Sequence, residues 1–342
     1  MVPRSPRGPH RRVVAVTGAA AFLGSELIRR LEQDRRYAKI LALDVRPPDV
    51  PAGKTDFHKI DLTLPTADAE VAELLRKERA DTLVHLAYLY RASHNAAWSH
   101  ELEAIGTMHV LNACAASQVR KVVQKSTTAL YGADPRHPNV LPESQTLVGS
   151  ADCAYLRDKV EAERLVRRFR SENPQAVVTV LRMAPILGPR IGNLVSRYFG
   201  RPVVPVLMGY DPLMQLLHED DAVSALKLAL DADFHGEYNV AAPGVLPLGT
   251  LLALAGRIAL PLPLFAARPL AGLLWMAQLS DAPPPFLDFL RYLCVADLSK
   301  SQREMGFTAK HDIRRVVETF AGDAPAEAPR TAEHLHAQDS RT

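Results

Sequence analysis

The chain has 342 residues, 47% apolar and 23% charged, as expected of a soluble globular protein with core enough for one large domain or two modest ones. A formal net charge of +3 is too small to argue for a nucleic-acid partner, and no uninterrupted apolar run reaches membrane-spanning length. Three scattered cysteines, Cys114, Cys153 and Cys294, argue against a disulfide framework and have no metal-ligand spacing, so no metal is expected and a cytoplasmic location is.

Residues 1–12 carry Arg4, Arg7, Arg11 and Arg12 among prolines and read as a disordered basic tail without a signal peptide's apolar segment. Val13 to Gly18 reads as a buried strand, and a helix follows from about Leu23 to Leu31. Lys39 to Asp44 is a second strand. After a polar segment around Asp61, a helix is expected near Val71 to Lys77, a strand over Thr82 to Ala87, and a helix over Ile105 to Ser117. Lys121 to Ser126 is a strand, a helix runs from Tyr155 to about Phe169, and Ala176 to Met183 is a β-branched strand. This alternation predicts right-handed βαβ units and a parallel sheet covered on both faces.

The rhythm fails after about Pro185. A smaller lobe over 185–321 is expected to cover the carboxyl ends of the strands, with 214–242 returning to the first domain of 13–184. Within the lobe, Ile258 to Leu279 is apolar but broken by Pro261, Pro263, Arg268 and Pro269. It reads as a pair of buried helices, with a pocket or surface patch for a lipid-like ligand as the alternative. Residues 322–342 read as a disordered tail.

Between the first strand and helix lies Thr17-Gly18-Ala19-Ala20-Ala21-Phe22-Leu23-Gly24. Gly18 allows a tight turn and close approach to a pyrophosphate. Gly24 allows close helix packing, and the helix N-terminus offers free N–H groups. Asp44, twenty residues beyond Gly24, ends the second strand, where a carboxylate accepts from ribose hydroxyls and repels a 2′-phosphate. NAD is therefore expected over NADP, although Arg46 lies close by. Asp61 and Leu62 are candidates for contacting the adenine.

Tyr155 and Lys159 stand one helical turn apart on one face. A free phenol has a pKa of about 10, and a neighbouring ammonium favours the phenolate, so the pair is a candidate acid/base centre. His218, beside Glu219, Asp220 and Asp221, reads as the start of an acid-rich helix rather than a metal site.

Taken in order, the turn at Gly18 to Gly24, His85-Leu86-Ala87, Ile105-Gly106-Thr107, Ser126-Thr127 before Tyr131-Gly132, the Tyr155 pair, Arg182, Gly188-Pro189 and Leu217-His218 resemble the extended short-chain dehydrogenase/reductase family, the NAD-dependent epimerases and dehydratases. The resemblance spans about Val13 to Phe320 and implies a Rossmann-type, doubly wound α/β fold with a smaller C-terminal substrate-binding lobe. It implies a Thr127-Tyr155-Lys159 triad, cofactor contacts from Gly18, Ala21, Phe22, Leu23, Gly24, Asp44, Asp61, Leu62, Ala87, Tyr155 and Lys159, a small-molecule substrate, and a homodimer.

Several positions depart from the family pattern. Ala21 replaces the middle glycine, and Lys125 stands where the family has a small or apolar residue. Thr128 and Ala129 occupy the positions of a dehydratase's Asp-Glu pair, which disfavours dehydration. The stretch Leu213 to Leu217, just before His218, holds no arginine to grip a diphosphate, leaving Arg190, Arg197 and Arg201 for that role. The first expectation is a nucleotide-sugar epimerase-like activity. The alternative is a net dehydrogenase or ketone reductase for an apolar alcohol such as a sterol, acyl compound or polyketide, and the third is a non-enzymatic NAD-binding protein.

Overall fold

The computed structural model describes residues 12–323 apart from 52 and 151, so the expected tails lie outside the described residues save for Arg12 and for 322–323. Seven strands make the central sheet: β1 (Arg12–Thr17), β2 (Tyr37–Asp44), β3 (Thr55–Lys59), β4 (Thr82–His85), β5 (Lys121–Thr127), β6 (Val177–Met183) and, after four short strands, β11 (Gly236–Val240). Their order is β11-β6-β5-β4-β1-β2-β3, with every neighbouring pair parallel. The order reverses between β1 and β4, which opens a crevice at the carboxyl ends of those two strands.

Helices cover both faces. On one side lie α1 (Phe22–Glu32) and α7 (Glu219–Asp231), and on the other α2 (Ala67–Lys77), α4 (Gly106–Ala116) and α5 (Ala154–Glu172). The spacing of Leu23, Leu27, Ile28 and Leu31 puts all four on the sheet-facing side of α1, and each is fully buried. Burial of such a side chain stabilises by about 1.5–3 kcal/mol.

The sequence missed β3, whose Thr-Asp-Phe-His-Lys run has neither alternation nor an apolar core. The helix expected over Ile105 to Ser117 coincides with α4, but the two turns of helix that lead into it went unread. The short helix α3 (Ala96–His100), a π turn (Glu101–Ile105) and α4 follow one another without a break.

Beyond β6, two-residue strands β7 (Ile186–Leu187), β9 (Leu213–Met214), β10 (Leu217–His218) and β12 (Leu246–Pro247) pair β10 with β7 and β12 with β9. Strands β8 (Val203–Leu207) and β13 (Ile258–Leu262) form another parallel pair. Helices α6 (Leu194–Gly200), α8 (Leu248–Leu254) and α10 (Ile313–Asp323) join a core around Phe199, Leu251 and Val317.

The expected pair of buried helices over Ile258 to Leu279 is corrected. The first part is strand β13, held extended by Pro261 and Pro263, and the second is one helix, α9 (Leu264–Met276), in which only Ala267 is buried. Phe265 is 83% exposed, and Met276 and Leu279 are each 73% exposed. Among the described residues, no helix is long and apolar enough to cross a membrane.

Candidate functional site

The glycine-rich turn sits at the β1–β4 crevice. Gly18 has φ +67°, and a Cβ there would lie 2.5 Å from the Leu86 carbonyl oxygen and 2.7 Å from the Ala87 nitrogen. Any side chain would push β1 and β4 apart, so glycine is required. A Cβ on Gly24 would lie 2.2 Å from the Gly18 oxygen, which presses α1 onto the turn.

Ala21 caps α1 in extended conformation (φ −75°) without a side-chain cap, and the first turn of α1 has no acid. Its methyl group is therefore accommodated without strain where a glycine was expected. The N-terminus keeps its partial positive charge for an anion. Leu23 is buried, whereas Phe22 is partly exposed with the Arg190 guanidinium 5.2 Å from its ring centre.

Asp44 ends β2 and reaches back to the turn, where its Oδ2 accepts from the Ala20 N–H at 3.0 Å. Its other oxygen faces the Arg46 N–H at 3.4 Å. The turn and the carboxylate thus form one cradle. Asp61 caps its own turn, accepting from the Thr63 N–H and hydroxyl at 3.0 and 2.7 Å. Leu62 is buried, and its carbonyl bonds the His109 ring at 3.0 Å. Ala87 lies half-buried at the end of the crevice.

Below the crevice His85 bridges Thr17 and Thr107 at 2.7 and 3.1 Å. Burial, helped by Lys159, pushes its pKa down to about 3, so the imidazole is neutral.

Helix α5 places Tyr155 and Lys159 over the segment after β4. The Tyr155 hydroxyl donates to the Leu89 carbonyl at 2.9 Å, and the Lys159 ammonium donates to the same oxygen at 3.1 Å. The ammonium lies 4.6 Å from the Tyr155 ring centre. Thr127 ends β5, and its hydroxyl oxygen accepts from the Ala129 N–H at 3.3 Å.

The expected lowering of the tyrosine pKa is not what the surroundings produce. Burial pushes the Tyr155 phenol well above the ordinary tyrosine range, and the carboxylate of Glu103 pushes the same way. Glu103 is not among the residues expected at the site, because the π turn that carries it lies ahead of the expected helix. Its only available signal was an acid three residues before Gly106-Thr107. Glu103 is fully buried and accepts from Lys159 at 2.7 Å and from the Leu89 N–H at 2.6 Å. Lys125, on the same strand face as Thr127, lies 5.6 Å from the Tyr90 ring centre. Burial and the charge of Lys159 push its pKa down to about 7.

A cavity of about 290 Å³ opens beside this centre, lined by Thr128 and Ala129 next to Thr127 and by apolar side chains of the C-terminal elements. Phe286, in its wall, lies 6.1 Å from the Tyr155 ring. Leu262, Ala267, Leu270, Ala271 and Leu274 bring β13 and α9 into the lining. Arg197 and Arg201 also line it, with Arg197 paired to Asp281 at 2.9 Å. Arg190 instead pairs with Glu26, Glu219 and Asp220. His218 caps α7, accepting from the Asp220 N–H at 3.2 Å, in line with an acid-rich helix start.

A model of the NAD dependent epimerase/dehydratase family matches residues 14–241. An uncharacterised protein of Mycobacterium tuberculosis is 34% identical over 307 residues, covering 87% of this chain and 80% of its own length. A UDP-glucose 4-epimerase of Mycolicibacterium smegmatis is 27% identical over 172 residues, 46% of this chain and 50% of that one. The crystal structure of a Thermotoga maritima UDP-glucose 4-epimerase with UDP-glucose superposes with a TM-score of 0.69, covering 91% of this chain and 98% of that one at 19% identity.

Proposed function

Because the chain belongs to the NAD dependent epimerase/dehydratase family, an enzyme family with NAD as cofactor, we propose that it transfers hydride at a secondary alcohol carbon of a substrate with an apolar body, as a net dehydrogenase or ketone reductase. The observation that carries this reading is the apolar cavity whose wall includes Thr128, next to Thr127, and Phe286, which packs near the Tyr155 ring. A pocket of this lining favours burial of a hydrocarbon frame and offers few partners to a sugar's hydroxyls.

The side-chain-free face at Gly18, the uncapped N-terminus of α1 and Asp44 at the adenosine end fit a dinucleotide. Asp44 would accept from ribose hydroxyls and disfavour a 2′-phosphate. Lys159 has used two of its three N–H groups on Leu89 and Glu103, which leaves one for a ribose hydroxyl. NAD supplies the hydride acceptor or donor when bound. Tyr155 takes the proton of the substrate hydroxyl during oxidation and returns it during reduction. Thr127 hydrogen-bonds the substrate oxygen and stabilises charge developing there.

A second reading, a nucleotide-sugar epimerase, is favoured by Arg197 and Arg201 in the cavity wall, where a diphosphate would find cations. The two readings separate when protein and NAD⁺ are incubated with a panel of hydroxysteroids, β-hydroxyacyl esters and UDP-sugars while nicotinamide absorbance is followed. Net reduced nicotinamide with an apolar alcohol supports the first, and sugar inversion without its accumulation replaces it with the second. Under either, Tyr155→Phe lowers kcat by about 10²–10⁴-fold and leaves NAD affinity near wild type. A fully active variant would remove Tyr155 from the chemistry.

A further inference from the structure

We propose that Glu103 is a positioning residue, a buried carboxylate that fixes the Lys159 ammonium beside the Tyr155 hydroxyl and offsets its charge there. The inference rests on Tyr155 being the acid/base group of the reaction proposed above. The π turn Glu101–Ile105 sets the geometry, bringing Glu103 beneath the Leu89 backbone. Such turns inside helices are frequent at functional sites. One oxygen of Glu103 accepts from both the Lys159 ammonium and the Leu89 N–H, at 2.7 and 2.6 Å. The carbonyl of that same Leu89 accepts from Tyr155 and Lys159. Glu103 therefore holds both ends of the platform on which phenol and ammonium meet.

Its second oxygen is buried and has no hydrogen-bond partner among the described residues. A carboxylate placed this way is costly unless cations surround it. Burial pushes the Glu103 carboxyl above its ordinary pKa, and two ammonium groups oppose that shift: Lys159 in direct contact and, more weakly, Lys125 from β5. This gives Lys125 a physical role at a position where a small or apolar residue was expected. The other titratable groups facing Tyr155 are Tyr90 from the segment after β4 and Cys153 at the start of α5. Tyr88 packs on the far side of Lys159, 5.1 Å from ammonium to ring centre. None of these three is a cation, so Lys159 is the positive charge at the phenol and Glu103 the group that offsets it.

The test is a spectroscopic titration of the Tyr155 phenol, read as near-ultraviolet phenolate absorbance of the full-length protein minus that of its Tyr155→Phe counterpart, with and without NAD⁺. Glu103→Gln keeps the acceptor and the volume but removes the charge, so the midpoint should fall by about one pH unit. The acid limb of kcat/KM should move to lower pH by the same amount. Glu103→Asn, also uncharged, reads the same shift if the glutamine variant folds poorly. A midpoint that stays at the wild-type value or rises in the folded variant overturns the proposal. The titration needs no turnover, so a shifted phenol in a protein that oxidises no tested alcohol would sink the functional reading and leave this one standing.

Discussion

The half of the molecule built around β1 to β6 and the half that follows Pro185 stabilise themselves differently. In the first, buried polar groups are numerous and connected. Arg182, fully buried on β6, bonds Glu163 of α5, the Tyr131 hydroxyl and the Glu143 carbonyl, while Ser126 of β5 bonds Glu163. This network ties the strand bearing Thr127 to the helix bearing Tyr155. In the second half the cavity wall is mostly apolar, and α9 turns Ala267 and Leu270 to the cavity but Phe265 and Met276 to the outside. The chemistry thus rests on directional contacts, and the shape of the pocket on apolar contacts that specify position less tightly.

Arg182→Met tests the directional half most severely. It leaves Glu163 buried without its main partner and should cost about 3–5 kcal/mol of stability, read from urea denaturation. A loss below 1 kcal/mol, on the order of a surface change, would show that the network is not structural. Acid comes next. The His85 pKa is depressed to about 3 against an ordinary value of about 6.5. Its contribution is therefore fully present above about pH 6.5 and is lost as pH falls from there towards 3. That loss should be on the order of a few kcal/mol, and His85→Asn should flatten the fall in the denaturation midpoint over the window.

Gly18→Ala should cost about 1–3 kcal/mol through strain at positive φ and the clash with Leu86, and should weaken NAD binding measured by fluorescence quenching. The smallest effect belongs to the lobe. Ala271→Phe fills part of the cavity and should raise KM for a bulky apolar alcohol about tenfold, with NAD affinity unchanged. If NAD affinity fell as well, the two halves would be energetically linked rather than separate.

The same contrast explains how much was legible beforehand. Gly18, Gly24 and Asp44 could be placed because a backbone constraint and a strand end leave few residue choices. The Tyr155 pair followed from helical spacing. The apolar run from Ile258 to Leu279 was misread because composition reports how apolar a segment is, not whether protein or solvent faces it. Glu103 escaped because a π turn shifts the register by one residue and hides the face it presents. The direction of the Tyr155 shift escaped with it, since spacing revealed the ammonium but not the carboxylate behind it.

Tyr155 and Lys159 are aligned on a main-chain oxygen, that of Leu89. Every amino acid supplies that oxygen, so the alignment does not depend on which side chain occupies position 89. Proline alone would forfeit the N–H that Glu103 accepts. The alignment therefore places its requirement on the backbone at position 89, whatever the buried side chain adds by packing. A scan by side-chain replacement would pass over it, and a single amide-to-ester exchange between residues 89 and 90, which weakens that oxygen as an acceptor, would expose it.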